Sequence, residues 1–115
     1  MFFANLASAE AVKLNGQEIR NLLTGNTAIG RLDGKKYRQW FGNNGIMLLS
    51  QGGLDTVGGE WRVDDISQEF QSILNGSDHW SGWYIMEFGK TYYWVSKTTP
   101  PTPFQIVEGK KLTAD

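Results

Sequence analysis

The chain has 115 residues, of which 40% are hydrophobic and 20% charged, so it is sized for one packed domain and is not composed like a disordered segment. Eleven Lys and Arg against twelve Asp and Glu exclude the clustered basic excess of a nucleic-acid footprint and a strong pull toward anionic membranes. The absence of cysteine excludes disulfides, thiolate chemistry and Cys-based metal sites.

Residues 1–11, MFFANLASAEA, read as the remnant of a signal peptide. Phe2, Phe3 and Leu6 are apolar, and Ala7-Ser8-Ala9 and Ala9-Glu10-Ala11 fit the small-x-small pattern of a cleavage site. A helix follows over residues 16–24. Asn15 and Glu18 form an Asn-x-x-Glu capping box, Leu14 and Ile19 are spaced for a hydrophobic staple, and Gly25 stands where a left-handed C-terminal residue belongs. Ile19, Leu22 and Leu23 give it one apolar stripe, which needs a partner because so short a helix is marginal alone.

Beyond Gly25 the period changes to two. A strand over 26–32 ends at Asp33-Gly34, a strong hairpin signal, and 35–41 returns with Tyr37 and Phe41 on one face and Trp40 on the other. Residues 46–51 form a third strand and 52–59 a glycine-rich loop. Residues 60–64 alternate cleanly, with Trp61 and Val63 opposed to Glu60, Arg62 and Asp64. Strands follow at 69–74, 83–88, 91–96 and 104–108. A polar turn at 75–81, a hairpin at Gly89-Lys90 and a stiff Pro-rich link at 97–103 join them. Residues 109–115 read as a frayed tail, so the domain is placed at 12–110 with a tail at 111–115. The expected fold is mainly β: about eight short antiparallel strands in a meander, closed as a small lipocalin-like barrel with the helix covering one end. The alternative is a two-sheet sandwich.

No motif specifies catalysis. Asp78-His79 is an adjacent pair without a nucleophile, better read as a surface turn. Glu60, Asp64, Asp65 and Glu69 fit neither a calcium loop nor a glycosidase pair, and read as solvated strand ends. Gly52-Gly53 and Gly58-Gly59 precede no helix and suit a bulge or loop rather than a phosphate cradle. Lys35, Lys36 and Arg38 beside Trp40 form a basic cluster too small for nucleic acid. The aromatics are the candidates for ligand binding: Trp40, Trp80, Trp83, Tyr92 and Trp94 are available to stack on a ligand at a barrel mouth, against the alternative that they fill the core.

Residues 14–25 (LNGQEIRNLLTG) and 59–63 (GEWRV) resemble uncharacterised families of small exported proteobacterial proteins, in which a helix of this pattern precedes β-strands with a Gly-x-Trp-Arg-Val centre. The resemblance implies export and a β body and brings no activity. Relatives in those families often carry a cysteine pair in the later strands, and this chain has none.

The expectation is therefore a non-catalytic exported or periplasmic domain that binds a small apolar or ring-shaped ligand or an envelope component. The alternative is a protein-interaction or inhibitor domain acting through loops 52–59 or 97–103. Neither a cofactor nor a metal is expected, nor is a membrane-spanning segment, and the oligomeric state is left open.

Overall fold

A computed structural model describes residues 10–52 and 54–113. The expected leader therefore lies almost wholly outside the described residues, as does Gly53. Nine strands and one helix follow in the order β1 (Val12–Lys13), α1 (Gly16–Leu23), β2 (Thr27–Leu32), β3 (Lys35–Phe41), β4 (Ile46–Gln51), β5 (Val57–Asp64), β6 (Glu69–Leu74), β7 (Ser81–Phe88), β8 (Thr91–Val95) and β9 (Thr102–Val107). Each of β2 to β9 pairs antiparallel with its successor, and β9 returns to pair with β2. The result is a closed eight-stranded barrel, not a sandwich.

Turn chemistry sets the first register. Asp33 and Gly34 both hold positive φ, 52° and 78°, so Leu32 faces Lys35 across a two-residue hairpin. The register then runs through Gly30↔Tyr37 and Ala28↔Gln39. Because facing residues share a side of the sheet, this register fixes what points inward: Tyr37, Gln39 and Phe41 from β3, Trp61 and Val63 from β5, Phe70, Ser72 and Leu74 from β6.

The helix is built as its sequence specifies. The Asn15 side chain accepts from the Glu18 N–H at 2.9 Å and the Glu18 carboxylate accepts from the Asn15 N–H at 2.8 Å, closing the capping box. Thr24 is the C-cap and Gly25 follows at φ 80°. Ile19 and Leu23 are fully buried in one cluster with Phe41, Trp61 and Phe70. Those rings interlock edge to face, Phe41 lying 5.6 Å from Trp61 and 5.5 Å from Phe70. The helix thereby covers the end of the barrel where β3 and β5 finish. Arg20 adds a two-pronged ion pair to Asp65 in the β5–β6 turn, at 2.8 and 2.9 Å.

Five features differ from the sequence reading. The strand β7 begins at Ser81, so Ser81 and Gly82 belong to the sheet and the polar turn ends before them. The two-residue strand β1 pairs with β7 at Val12↔Glu87 and Lys13↔Met86. It occupies the stretch of the β7 edge that β6 leaves open, since β6 reaches only Ser81 to Trp83. The strand β5 begins at Val57, so Gly58 and Gly59 belong to the sheet and the loop is 52–56. The strand β9 begins at Thr102, shortening the Pro-rich link. Residues 109–111 are not frayed. The buried Thr27 hydroxyl donates to the Gly109 carbonyl at 2.6 Å and accepts from the Lys111 N–H at 2.9 Å, while Arg38 donates to the Lys111 carbonyl at 2.9 Å.

Candidate functional site

At the end away from α1 the barrel is open and holds a cavity of about 340 Å³. Its floor is Trp94, which is 8% exposed and rests on the core through Phe70 at 5.0 Å and Phe104 at 4.3 Å. The Trp94 indole N–H donates to the Tyr37 hydroxyl at 2.9 Å, so both polar atoms are satisfied. Tyr37 reaches that position because Gly30 faces it across the β2–β3 ladder. A Cβ at Gly30 would lie 2.8 to 3.0 Å from the Tyr37 ring, so only glycine leaves room for the ring to lie over β2. Burial raises the Tyr37 phenol above its ordinary range, an effect only partly offset by the bond from Trp94, so the ring stays neutral well into alkaline pH.

The walls mix apolar surface with uncharged polar groups. Trp83, Met47, Leu49 and Leu74 supply the first. Gln39, Ser72, Ser81 and Thr102 supply the second. Ser72 and Ser81 are register partners, so two hydroxyls stand side by side on the inner wall. Gln39 lies between Tyr37 and Phe41 on the inward face of β3, and its amide donates to Met47 Sδ at 2.8 Å. Among the described residues no Asp, Glu, Lys or Arg lines the cavity.

The rim is formed by the β2–β3, β4–β5, β6–β7 and β8–β9 connections. Apolar side chains stand exposed there: Leu32, Leu54, Val57 and Leu74. The β8–β9 link is ordered by Ser96, whose hydroxyl accepts from the Thr98 and Thr99 N–H groups at 3.3 and 3.1 Å. Thr99 from that link and His79 from the β6–β7 turn also line the opening. The His79 ring is hydrogen-bonded to the Asp78 carboxylate, but both side chains are more than four-fifths exposed. Ser77 meets the backbone of His79, not its imidazole. The pair therefore sits in water at the rim with no hydroxyl nucleophile on its ring.

Of the five aromatics singled out by sequence, the barrel brings two to the cavity, Trp83 and Trp94. Tyr92 is half-buried at the closed half, 5.8 Å from Phe104. Trp40 and Trp80 lie on the outer wall. Trp40 donates to the Gly25 carbonyl at 3.3 Å with the Lys110 ammonium over its ring, and Trp80 lies beneath the Arg62 guanidinium, 3.7 Å from its ring centroid. Both are packed under cations on the outside. Tyr37, Gln39, Ser72 and Ser81 were not singled out by sequence. The available signal was a polar residue in the inward phase of an alternating strand, as Ser72 is between Phe70 and Leu74.

The carboxylates resolve into structural duties. Asp65 is held below the usual carboxylate range by its hydrogen bonds from Arg20. Asp64 accepts from the Ile66 N–H at 2.9 Å and Glu69 from the Ser67 hydroxyl at 3.0 Å. Among the described residues no three His, Asp or Glu side chains gather as metal ligands, and no helix is long and apolar enough to cross a membrane. No family model, curated protein or solved structure matches the chain.

Proposed function

We propose that this barrel is a non-catalytic binding domain that takes a small, uncharged, ring-bearing ligand into its open mouth, in an exported or periplasmic setting. The observation that carries the reading is the uncharged wall. A cavity of about 340 Å³ offers Trp83 and Trp94 for stacking and Gln39, Ser72 and Ser81 for hydrogen bonding. With no Asp, Glu, Lys or Arg among the described residues of its wall, it would leave a charged ligand desolvated and unpaired, which is costly. The exposed apolar rim at Leu32, Leu54 and Leu74 suits entry of such a ligand from water. Export rests on the small-x-small residues at Ala7–Ala9 and Ala9–Ala11 and on the resemblance to small exported proteins.

The test uses N-phenyl-1-naphthylamine, a neutral aromatic probe. Saturable uptake is expected, with quenching of tryptophan emission, and Ser72→Phe is expected to abolish it by filling the inner wall. Uptake that is absent, or that is unchanged in a folded Ser72→Phe protein, would sink the reading.

A second reading has one observation in its favour. Leu54, 58% exposed in the β4–β5 loop, with the Ser96-braced β8–β9 link, offers a surface for a protein partner at the same mouth. Leu54→Asp separates the two, since it should leave probe uptake intact and abolish capture of an envelope protein.

A further inference from the structure

The outer wall of β2, β3 and β9 carries a feature that the mouth does not use. A groove of about 620 Å³ runs along it, floored by Ile29 and Gln105 and flanked by Pro103 and by Leu112 of the tail. The tail stands there because Arg38 and Thr27 bind the backbone of Lys111. Three cations line the groove, Arg31, Lys36 and Arg38. Arg31 and Lys36 are direct cross-strand partners, and Arg38 lies two residues beyond Lys36 on the same face. Among the described residues no carboxylate comes within ion-pair distance of any of them. Like charges set opposite each other on a sheet repel and destabilise it. Here the pair is joined by a third cation, with no anion among the described residues to offset the repulsion.

We infer that this groove is a second binding site, for a phosphomonoester with an apolar or aromatic body. The charge count selects the anion. A phosphomonoester carries about −1.5 to −2 at neutral pH and several strong acceptor oxygens, which suits two guanidinium groups and an ammonium better than a monoanionic carboxylate does. The uncharged surface of Ile29, Pro103 and Leu112 takes the organic part. A bare phosphate uses only the cations and a neutral ring only the apolar surface, so the combination binds more tightly than either. The site shares no ligand preference with the cavity, whose described wall holds no Asp, Glu, Lys or Arg.

Calorimetric titration of the whole chain with phenyl phosphate, inorganic phosphate and phenol tests this. Phenyl phosphate is expected to saturate the site and to bind more tightly than the other two. Arg31→Ala and Lys36→Ala are each expected to weaken it about tenfold, the loss of a charge-assisted hydrogen bond. These side chains are exposed on the outer wall, so the variants keep the fold, and Lys36→Ala should itself melt at a higher temperature once the repulsion is relieved. Uptake of N-phenyl-1-naphthylamine should be unchanged in both, which separates this site from the mouth. Cosedimentation with phosphatidic acid vesicles, lost in the double variant, assigns the phosphate to a lipid headgroup. Binding of phenyl phosphate without cosedimentation assigns it to a soluble ligand. No saturable binding of phenyl phosphate, or equal binding in the folded double variant, overturns the inference.

Discussion

The two ends of the barrel use the same alternating strands and the same inward phase, yet one end is solid and the other hollow. At the helix end the inward positions are Phe41, Trp61, Phe70 and Ile85, none more than 8% exposed, and α1 adds Ile19 and Leu23 over them. At the mouth the same strands present Gln39, Ser72, Leu74 and Ser81, and among the described residues no helix covers them. The contrast is one of side-chain volume and covering element, not of backbone. A small barrel is filled or emptied by a few residues per strand, so the hollow end is specified by Ser72 and Ser81 as directly as the solid end is by Phe41 and Phe70.

Substitutions sharpen this contrast. Phe41→Ala removes a fully buried ring from the solid end, where it contacts Trp61, Phe70 and Trp94. The expected cost is about 3–5 kcal/mol, read from urea denaturation. Gly30→Ala strikes the cavity wall, because its Cβ would press on the Tyr37 side chain that lines the cavity and bonds Trp94. We expect a loss of about 1–3 kcal/mol, with altered Trp94 emission as Tyr37 shifts. Ser81→Ala at the hollow end should change stability by no more than about 0.5 kcal/mol. A loss comparable to that of Phe41→Ala would mean that the mouth is packed like the core. The smallest effect concerns Asp65, which links α1 to the β5–β6 turn. Its folded pKa lies below the ordinary carboxylate value, so its contribution is present above about pH 4 and is lost as pH falls through the folded value. Asp65→Asn should flatten that part of the acid unfolding curve, and an unchanged curve would show that the pair does not steady the covered end.

Much of this was legible in the residues. The capping box named α1, Asp33-Gly34 and Gly89-Lys90 named hairpins, and the alternation of Trp61 and Val63 against Arg62 named an inward face. What escaped was non-local. Val12 and Lys13 have no pattern of their own and become a strand only because β7 has a free stretch of edge. Gly58 and Gly59 read as loop but pair with Leu48 and Met47. For the site, counting aromatics misled where phase informed. Trp40 alternates with Tyr37 and Phe41 and so had to point outward, while Ser72 and Gln39 lay in the inward phase. The order of the tail has no local signal because its partners, Thr27 and Arg38, lie more than seventy positions away, at separations of 84 and 73.

Ring closure also sets a folding order. The seams from β2 through β9 join neighbours in sequence, but closing the ring requires β9 to find β2, pairing Thr27 with Val107 and Gly30 with Phe104. Contacts so distant along the chain form late, and proteins dominated by them fold on the order of milliseconds to seconds. Until β2 and β9 pair, the wall stays open between them, so there is no closed cavity to fill. A ligand held there should therefore slow the departure of β9, making dwell time in the mouth and lifetime of the closed ring two readings of one kinetic event.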